Sequence, residues 1–385
     1  MQKNKFLPLS RPTISDETIE EVTNVLKSGW IATGPLTQKF EKKLSEYFCG
    51  RQAMCVTSAT AGLKAALMAI GVKAGDEVIT TSLTFAATAN VIAMLGAKPV
   101  FVDIERDSFN IDPNKIAEAC TSKTKAIMPV HYAGLSVDLD PIYEIAKAKN
   151  LRVIEDAAHA MGSEYKGRKI GTFGDIQVFS FHPIKNMTSG EGGCIVFDNS
   201  LEKEKKFIEL QRFHGIDRSI WDRFSKNASC YYDVVMPGEK SNMSDLQAAI
   251  GIHQLHELEE MNERRRMLAD RYRKAFSETL AEKISMQSEP NYSFVHSGHL
   301  FPICIKDETK RDDFMAFLKE NSIGTTPYYM PLHLFSYYKN TFGYGSGMLE
   351  NTEYVGKRIV CIPLYTALQE NEQDYIIDII QRFFA

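Results

Sequence analysis

Hydrophobic and polar residues alternate along the first two-thirds of the chain in a pattern that predicts strands and helices in turn. Short apolar segments, several of them nearly continuous in Val, Ile and Phe, are typical of strands in a sheet covered on both faces. The predicted strands are residues 53–56, 77–80, 98–102, 126–130, 152–155, 176–180 and 193–197. Helices are predicted between many of them at residues 61–70, 86–95, 112–120 and 139–149. This βαβ alternation predicts a three-layer α/β domain with a mostly parallel sheet.

The pattern changes after residue 245. Ser244 and Gln247 have the spacing of a helix capping box, so a helix is expected to begin there and to run to about Lys274. Its expected apolar face comprises Leu246, Ile250, Leu258, Met261, Leu268 and Tyr272. A strand at 299–305, a helix at 310–321, a loop rich in Tyr and Pro, and a final helix from about Asn371 follow. We therefore predict a large domain of residues 1–245 and a smaller C-terminal α/β domain of residues 246–385, with which the residues before about 15 can pack.

Length and charge narrow the possible functions. A chain of 385 residues suits two domains and can bury a core without disulfides. With 45 Lys and Arg against 49 Asp and Glu, the net charge of −4 excludes a broad basic surface for nucleic acid or anionic lipid. The basic run Arg264, Arg265 and Arg266 is interpreted as a solvated helix face. No uncharged apolar run approaches the ~18–20 residues of a membrane span, so no membrane insertion is expected.

The cysteines indicate a reducing compartment. They are seven in number, scattered, and without a Cys-x-x-Cys pair. This usage is typical of reduced thiols, and of neither a disulfide framework nor a zinc site. The N-terminus is polar and lacks the apolar core of a signal peptide. We expect a cytoplasmic protein.

Polar residues follow two neighbouring predicted strands. Asp156 and His159 come just after one strand, and Ser180 and Lys185 follow the next, with Lys185 29 residues after Asp156. Open α/β sheets place ligand contacts at these strand ends. A lysine that forms a Schiff base and an acid that pairs with a pyridinium nitrogen are what pyridoxal phosphate requires. Taken singly, the aspartate is more often a helix cap and the lysine a surface charge.

A phosphate group needs its own binding residues. Residues 57–62 (Thr-Ser-Ala-Thr-Ala-Gly) follow an apolar strand and open a helix, which offers backbone N–H groups and hydroxyls at the positive end of a helix dipole. An ordinary Ser/Thr helix cap is an equal alternative for this segment. Phe85 could stack on a planar ring, although a core phenylalanine is the commoner role for such a residue.

Two rival interpretations are weaker. Tyr143 and Lys147 fit the Tyr-x-x-x-Lys pair of short-chain dehydrogenases and sugar-nucleotide epimerases. Those enzymes also need a Gly-rich dinucleotide turn, and the first 50 residues contain no G-x-G-x-x-G, so the pair is interpreted as a helical coincidence. Two histidine pairs with i, i+3 spacing lack a carboxylate or cysteine to complete a metal signature and are interpreted as structural. They are His253 with His256, and His296 with His299.

Together these segments resemble the DegT-type sugar aminotransferases, which have fold type I and act on nucleotide-linked keto sugars. The matching segments occur in family order at residues 28–34, 57–62, 130–134, 155–160, 180–186, 190–193, 213–215 and 241–245. The segments at 9–12 and 180–186 look closest to the enzymes that make UDP-4-amino-4-deoxy-L-arabinose, followed by those of the pseudaminic acid pathway. The resemblance implies a large three-layer α/β/α domain, a smaller C-terminal α/β domain, and pyridoxal 5′-phosphate as cofactor.

The resemblance also implies roles for individual residues. Lys185 would bind the cofactor covalently and shuttle a proton, Asp156 would keep the pyridine nitrogen protonated, and His159 would lie near the phenolic oxygen. Further cofactor contacts would come from Phe85 against the ring, from Ala59, Thr60 and Ser180 at the phosphate, and from Asn242 at the phosphate of the neighbouring subunit. The last contact implies a homodimer with shared active sites.

The substrate site would be shaped by two loops and one histidine. Its implied residues are Trp30, Ile31, Ala32, Thr33, His182, Tyr328, Tyr329 and His333. We expect transfer of the amino group of L-glutamate, leaving 2-oxoglutarate, to the C4 ketone of a UDP-linked 4-keto pentose. Phe85 stands where the arabinose enzymes usually have tryptophan, so a 4-keto-6-deoxy-HexNAc of the pseudaminic type is the alternative. Remaining alternatives are a pyridoxal-dependent sugar dehydratase, in which histidine replaces the lysine, and a non-catalytic ligand sensor.

Overall fold

The computed structural model describes residues 5–217 and 231–385, and its largest sheet has seven strands. In chain order these strands are β1 (Gln52–Val56), β2 (Glu77–Thr81), β3 (Lys98–Val102), β4 (Thr124–Met128), β5 (Arg152–Asp156), β8 (Ile176–Ser180) and β9 (Gly193–Phe197). The spatial order is β1-β9-β8-β5-β4-β2-β3. The four pairings from β8 to β3 are parallel, whereas β9 runs antiparallel to both of its neighbours. All seven strands match the predicted ones to within two residues at each end.

Helices cover both faces of this sheet. They are α1 (Asp16–Ser28), α2 (Pro35–Tyr47), α3 (Ala59–Ala69), α4 (Ala86–Met94), α5 (Pro113–Ala119), α6 (Leu139–Lys149), α7 (Glu202–Gln211) and α8 (Asp245–Thr279). Along β8, Val178 points into the apolar core beneath α3 and α4, and Phe179 points into the core on the α6 and α8 side. This alternation produces the predicted three-layer α/β/α arrangement of a fold type I enzyme, because each strand must bury side chains on both faces.

The C-terminal part of the chain forms a second, smaller sheet. Its strands are β10 (Ile284–Met286), β12 (Phe301–Ile305) and β13 (Ile359–Ile362), all antiparallel. The remaining helices are α9 (Arg311–Glu320), α10 (Ser336–Phe342), α11 (Glu350–Gly356) and α12 (Glu370–Phe384). A third sheet joins β11 (Phe294–Val295) to the hairpin of β6 (Glu164–Tyr165) and β7 (Arg168–Lys169). Leu7 packs into the core of the smaller sheet and pairs with Ile323.

The 35-residue helix α8 links the two main cores. The Ser244–Gln247 capping box is present, as predicted. Leu258 packs in the core of the seven-stranded sheet, whereas Tyr272 packs in the core of the smaller sheet. The domain boundary at residue 245 stays a prediction, because this one helix contributes to both cores.

Several predictions for this helix need correction. Leu246 and Ile250 are only half-buried, and the small residues Ala248 and Ala249 form the buried face of the first turns. Small side chains occupy that face because α2 packs closely against α8 there: a Cβ on Gly251 would lie 2.5 Å from the Phe40 ring. The proposed solvated arginine face is wrong for Arg265, which is 6% exposed.

Other elements were not predicted. Elements without a predicted counterpart are helices α1, α2, α7, α10 and α11 and strands β6, β7, β10, β11 and β13, and β4 ends at Met128, two residues before its predicted end. The next residue is Pro129, which has no N–H to continue the ladder. Cys230 lies outside the described residues, and the six described cysteines form no disulfide with one another. In the part of the chain that the structure describes, no helix is long and apolar enough to cross a membrane.

Candidate active site

A cavity of about 280 Å³ opens where β5 and β8 end. Asp156 is the last residue of β5 and Ser180 the last of β8, and both line the cavity. The predicted site residues that line it are Ala59, Thr60, Phe85, Asp156, His159, Ser180, His182, Lys185, Tyr328 and Tyr329. The structure therefore brings together residues from four strand ends and from the loop after α9.

The Asp156 carboxylate is buried and held by two hydrogen bonds. Oδ2 accepts from Thr88 Oγ1 at 2.7 Å, and Oδ1 accepts from the Ala158 backbone N–H at 3.2 Å. Burial raises the pKa of Asp156, and both hydrogen bonds and the charge of Lys185 oppose that rise. A fixed, buried carboxylate of this kind is suited to pairing with a buried cation.

Lys185 lies in a turn after β8 that is fixed by hydrogen bonds. Its backbone N–H donates to the His182 carbonyl at 2.9 Å. The side-chain amide of the next residue, Asn186, donates to Asn262 Oδ1 and to the Ser297 carbonyl, both at 2.8 Å. Burial lowers the pKa of Lys185 to about 8. A lysine with this pKa supplies neutral amine near neutral pH, as a nucleophile and proton carrier must.

His159 is a neutral imidazole with a defined tautomer. Its Nδ1 accepts from the Ala133 backbone N–H at 3.2 Å, and its Nε2 lies 3.0 Å from the Tyr329 hydroxyl oxygen. Burial, followed by the charges of Lys185 and His131, keeps the pKa of His159 well below its usual value. Because Nδ1 is an acceptor, the ring hydrogen is on Nε2 and is donated to Tyr329.

The start of α3 forms one wall of the cavity. Ser58 caps the helix, and the following residues Ala59 and Thr60 have N–H groups without partners inside the helix. A Cβ on Gly193 would lie 2.8 Å from the Ala59 nitrogen and 2.6 Å from the Phe179 carbonyl oxygen, so only glycine lets β9 approach the helix start this closely. The arrangement fits a phosphate group, which helix N-termini bind through their N–H groups and dipole.

Phe85 is not a core residue. Its side chain is 58% exposed, although it lines the cavity, and its ring centroid lies 6.1 Å from that of Tyr329. A large apolar ring exposed at a cavity is available for stacking on a planar ligand. Together with the buried Asp156 and Lys185 and the helix start at Ala59, it makes the cavity fit pyridoxal phosphate.

The sequence comparison decides the family. Residues 12–381 match the DegT/DnrJ/EryC1/StrS aminotransferase family. The chain belongs to this family. It is a sugar aminotransferase that depends on pyridoxal phosphate.

Individual relatives cover almost the whole chain. An uncharacterized protein of Methanocaldococcus jannaschii, MJ1066, is 45% identical over 99% of this chain and 97% of its own. The spore coat polysaccharide biosynthesis protein SpsC of Bacillus subtilis is 40% identical over the same shares.

Solved structures also match almost the whole chain. The putative sugar aminotransferase Spr1654 of Streptococcus pneumoniae, solved in its PLP and PMP forms, has a TM-score of 0.90 and 33% identity over 98% of both chains. Helicobacter pylori PseC, an aminotransferase of pseudaminic acid biosynthesis, has a TM-score of 0.90 and 28% identity over 99% of both chains.

Some predicted site residues of this sugar aminotransferase lie outside the cavity. Asn242 donates from Nδ2 to Thr33 Oγ1, and Thr33 Oγ1 donates to the Met243 carbonyl. The Trp30 indole N–H donates to the Thr33 carbonyl at 3.3 Å, and Ile31 is 47% exposed. Residues 30–33 and Asn242 thus form a cluster that is not among the residues lining the cavity.

His333 is also outside the cavity. It is fully buried, with Nδ1 2.8 Å from Ser82 Oγ and Nε2 3.2 Å from Glu353 Oε1. Both ring nitrogens are therefore engaged within the protein, and the structure does not bring this residue to the substrate side. Tyr143 of the rival Tyr-x-x-x-Lys pair is likewise structural, because it donates to Glu155 Oε1 at 2.7 Å and does not line the cavity.

Three polar residues that line the cavity were not predicted as site residues. The Thr88 hydroxyl donates to Asp156 and orients it. The Thr84 hydroxyl oxygen lies 2.9 Å from the Thr88 hydroxyl oxygen. The i, i+4 threonine pair beside Phe85 was the available signal. Glu191 lines the cavity 3.9 Å from His182 Nε2, and it lies inside the Gly-rich segment 189–193 that the sequence had already marked.

Proposed function

We propose that this enzyme moves the amino group of L-glutamate to the C4 ketone of a UDP-linked 4-keto sugar. Asp156, Lys185 and His159 in one cavity are the observation that carries the proposal. The sequence favoured a 4-keto pentose as acceptor. The similarity to PseC over 99% of both chains supports the 4-keto-6-deoxy-HexNAc alternative, and we place that acceptor first. The similarity to SpsC supports a place in surface polysaccharide synthesis.

The cofactor, when bound, carries the amino group between the two substrates and withdraws electrons from the carbon that loses its proton. Lys185 would hold it covalently and take up and return that proton at Nζ, since its lowered pKa makes the neutral amine available. Asp156 would keep a positive charge on the ring nitrogen by pairing with it. The start of α3 would bind the phosphate, and Phe85 would pack on the ring.

The active enzyme is proposed to be a homodimer. Asn242 and residues 30–33 match the family's substrate and phosphate contacts, but they form a cluster away from the cavity of their own chain. In the proposed dimer, the cluster of one copy would serve the cavity of the other. The exposed Ile31 of this cluster is consistent with burial against such a copy.

The acceptor can be identified by running the reaction in reverse. Purified enzyme is incubated with 2-oxoglutarate and either UDP-4-amino-4-deoxy-L-arabinose or a UDP-4-amino-4,6-dideoxy-HexNAc, and glutamate is measured. We expect glutamate with the HexNAc derivative in greater yield. Glutamate formed with a dTDP-linked amine and with neither UDP-linked amine would overturn the nucleotide assignment.

The cofactor-binding role of Lys185 is tested independently of the substrate. Lys185→Ala is expected to lose the visible absorbance of the covalently bound cofactor and all turnover. Lys147→Ala, which removes an exposed lysine of α6, is the matched control and should keep both. Transamination by Lys185→Ala would refute the role.

A further inference from the structure

A second cavity of about 320 Å³ lies between α8 and the segment that joins β10 to β12. Arg266 and Arg273 line it from one face of α8, two helical turns apart. Its floor is apolar and includes Met286, Phe294 and Phe301. None of its lining residues lines the cofactor cavity.

The two arginines differ from their neighbours on the same helix. Arg264 and Arg271, also two turns apart, form ion pairs with Glu370 and Asp374 of α12. Arg266 and Arg273 form no ion pair with any carboxylate of residues 5–217 and 231–385. Neither charge is therefore neutralised by a close ion pair among the described residues, and the Arg273 guanidinium lies over the Phe301 ring, 5.8 Å from its centroid.

Arg266 also has an unused donor. Its Nη1 is buried and has no hydrogen-bond partner among the described residues. A buried charged donor without a partner is unfavourable, so the Arg266 side chain gains from any rearrangement that gives this nitrogen an acceptor.

His296 and one nitrogen of Arg273 already have hydrogen-bond partners within the chain. His296 Nδ1 accepts from the Gly298 N–H at 2.9 Å, so its Nε2 hydrogen is donated to Gln287 Oε1 at 3.1 Å. Arg273 Nη1 donates to the Gln287 carbonyl at 2.8 Å, which leaves its other donors available. The lining acids Asp270 and Glu289 are solvent-exposed, so water screens their charge more than that of the buried Arg266 Nη1.

We propose that this cavity binds a small organic anion, whose carboxylate or phosphate group contacts Arg266 and Arg273 and whose apolar part rests on Phe294 and Phe301. When the Arg266 side chain turns toward the bound anion, Nη1 would gain the acceptor that it lacks among the described residues. The apolar floor would favour an organic ion over an inorganic one, because burying its carbon atoms is favourable. The site does not depend on the proposed sugar substrate.

The cavity is connected to the cofactor site through one short segment. His296 lines the cavity, and the carbonyl of the next residue, Ser297, accepts the Asn186 amide that supports the Lys185 turn. The ring of His299 lies 4.3 Å, centroid to centroid, from that of His159. An anion at Arg266 would therefore bind within a few residues of the segment that supports Lys185 and contacts His159, without touching Lys185 or His159.

The test is titration calorimetry of the cofactor-loaded enzyme with four probes. Benzoate and phenyl phosphate carry an apolar part with either anionic group, inorganic phosphate carries the anionic group alone, and benzyl alcohol is the neutral counterpart. We expect saturable binding of benzoate or phenyl phosphate with one site per chain, and binding at least tenfold weaker for inorganic phosphate and benzyl alcohol. The probe that binds more tightly distinguishes a carboxylate ligand from a phosphate ligand.

Variants locate the binding. Arg266→Gln and Arg273→Gln should each weaken binding at least tenfold, whereas Lys274→Gln, which removes an exposed charge from the same helix, should leave it unchanged. Thermal unfolding without ligand checks that each variant is folded, and Arg266→Lys, which keeps the charge, should retain part of the affinity if Arg266→Gln does not fold. The proposal is overturned if no anion binds saturably, if benzyl alcohol binds as tightly as benzoate, or if folded Arg266→Gln or Arg266→Lys binds as tightly as the unaltered enzyme.

Discussion

His159 Nε2 and the Tyr329 hydroxyl oxygen lie 3.0 Å apart, and the two rings are 15° from parallel. Because the Ala133 N–H occupies His159 Nδ1, the hydrogen on Nε2 is donated to Tyr329. The Tyr329 hydroxyl hydrogen is then free to be donated into the cavity that both residues line. The pair therefore presents a hydroxyl donor to whatever binds there.

Tyr329→Phe should lower kcat by about tenfold, because one hydrogen bond to the reacting groups is worth about 1 kcal/mol and the His159 N–H also loses its acceptor. Steady-state kinetics with glutamate and the sugar acceptor measure the effect. Tyr328→Phe, whose ring stacks on Tyr329 at 4.8 Å, is the matched control and should change kcat less. Equal kcat values for Tyr329→Phe and the unaltered enzyme would show that the hydroxyl is not used.

Thr88→Val should move the acid side of the pH–kcat profile to higher pH. The Thr88 hydroxyl lowers the pKa of Asp156 against the effect of burial, so its removal lets that pKa rise, and more of the carboxylate is protonated at a given acidic pH. Thr80→Val removes a comparable buried hydroxyl that donates to the Met128 carbonyl instead, and should leave the profile in place. A profile for Thr88→Val that superimposes on that of Thr80→Val would contradict the role of Thr88.

Lys185→Met should stabilise the cofactor-free protein at pH 7. The pKa of Lys185 is about 8 when folded, against 10.5 for an ordinary lysine, so the unfolded chain binds more protons between these values. The resulting penalty is fully present below pH 8, shrinks as pH rises and is gone above about pH 10.5, and it amounts to about 3 kcal/mol at most.

Urea unfolding at several pH values measures this penalty. The stabilisation by Lys185→Met should decrease between pH 8 and pH 10, whereas Lys147→Met, at an exposed position, should show neither effect. A destabilised Lys185→Met protein at pH 7 would mean that the buried ammonium is compensated by contacts within the folded chain.

Mixing two inactive variants should restore activity if the active sites are shared. A dimer of one Lys185→Ala chain and one Asn242→Ala chain has one site with both defects and one site with neither. Random exchange of subunits between equal amounts of the variants should therefore recover about a quarter of the unaltered activity. Each variant alone is the control, and no recovery after verified subunit exchange would mean that Asn242 and Lys185 of the same chain serve one site.

Much of the site could be inferred from short segments. The strand ends at Asp156 and Ser180, the turn at Lys185 and the helix start at Ala59 are each defined by local spacing, and the structure brings all four to one cavity. Contacts between distant segments were not accessible in this way. Thr88 and Asp156 are 68 residues apart, and His159 and Tyr329 are 170 apart, so no local pattern couples them.

The sequence by itself determined the βαβ order, the family and its chemistry, because strand and helix periodicity and the cofactor motifs are properties of neighbouring residues. Only the tertiary structure decided which charged and polar groups lose their water. It buried Arg265 in a helix whose sequence predicts a solvated face, and it engaged both ring nitrogens of His333 outside the cavity. It also left Arg266 Nη1 without a hydrogen-bond partner among residues 5–217 and 231–385. Burial depends on which segments pack together across the fold, and the free energy of a charge depends on burial more than on its sequence neighbours.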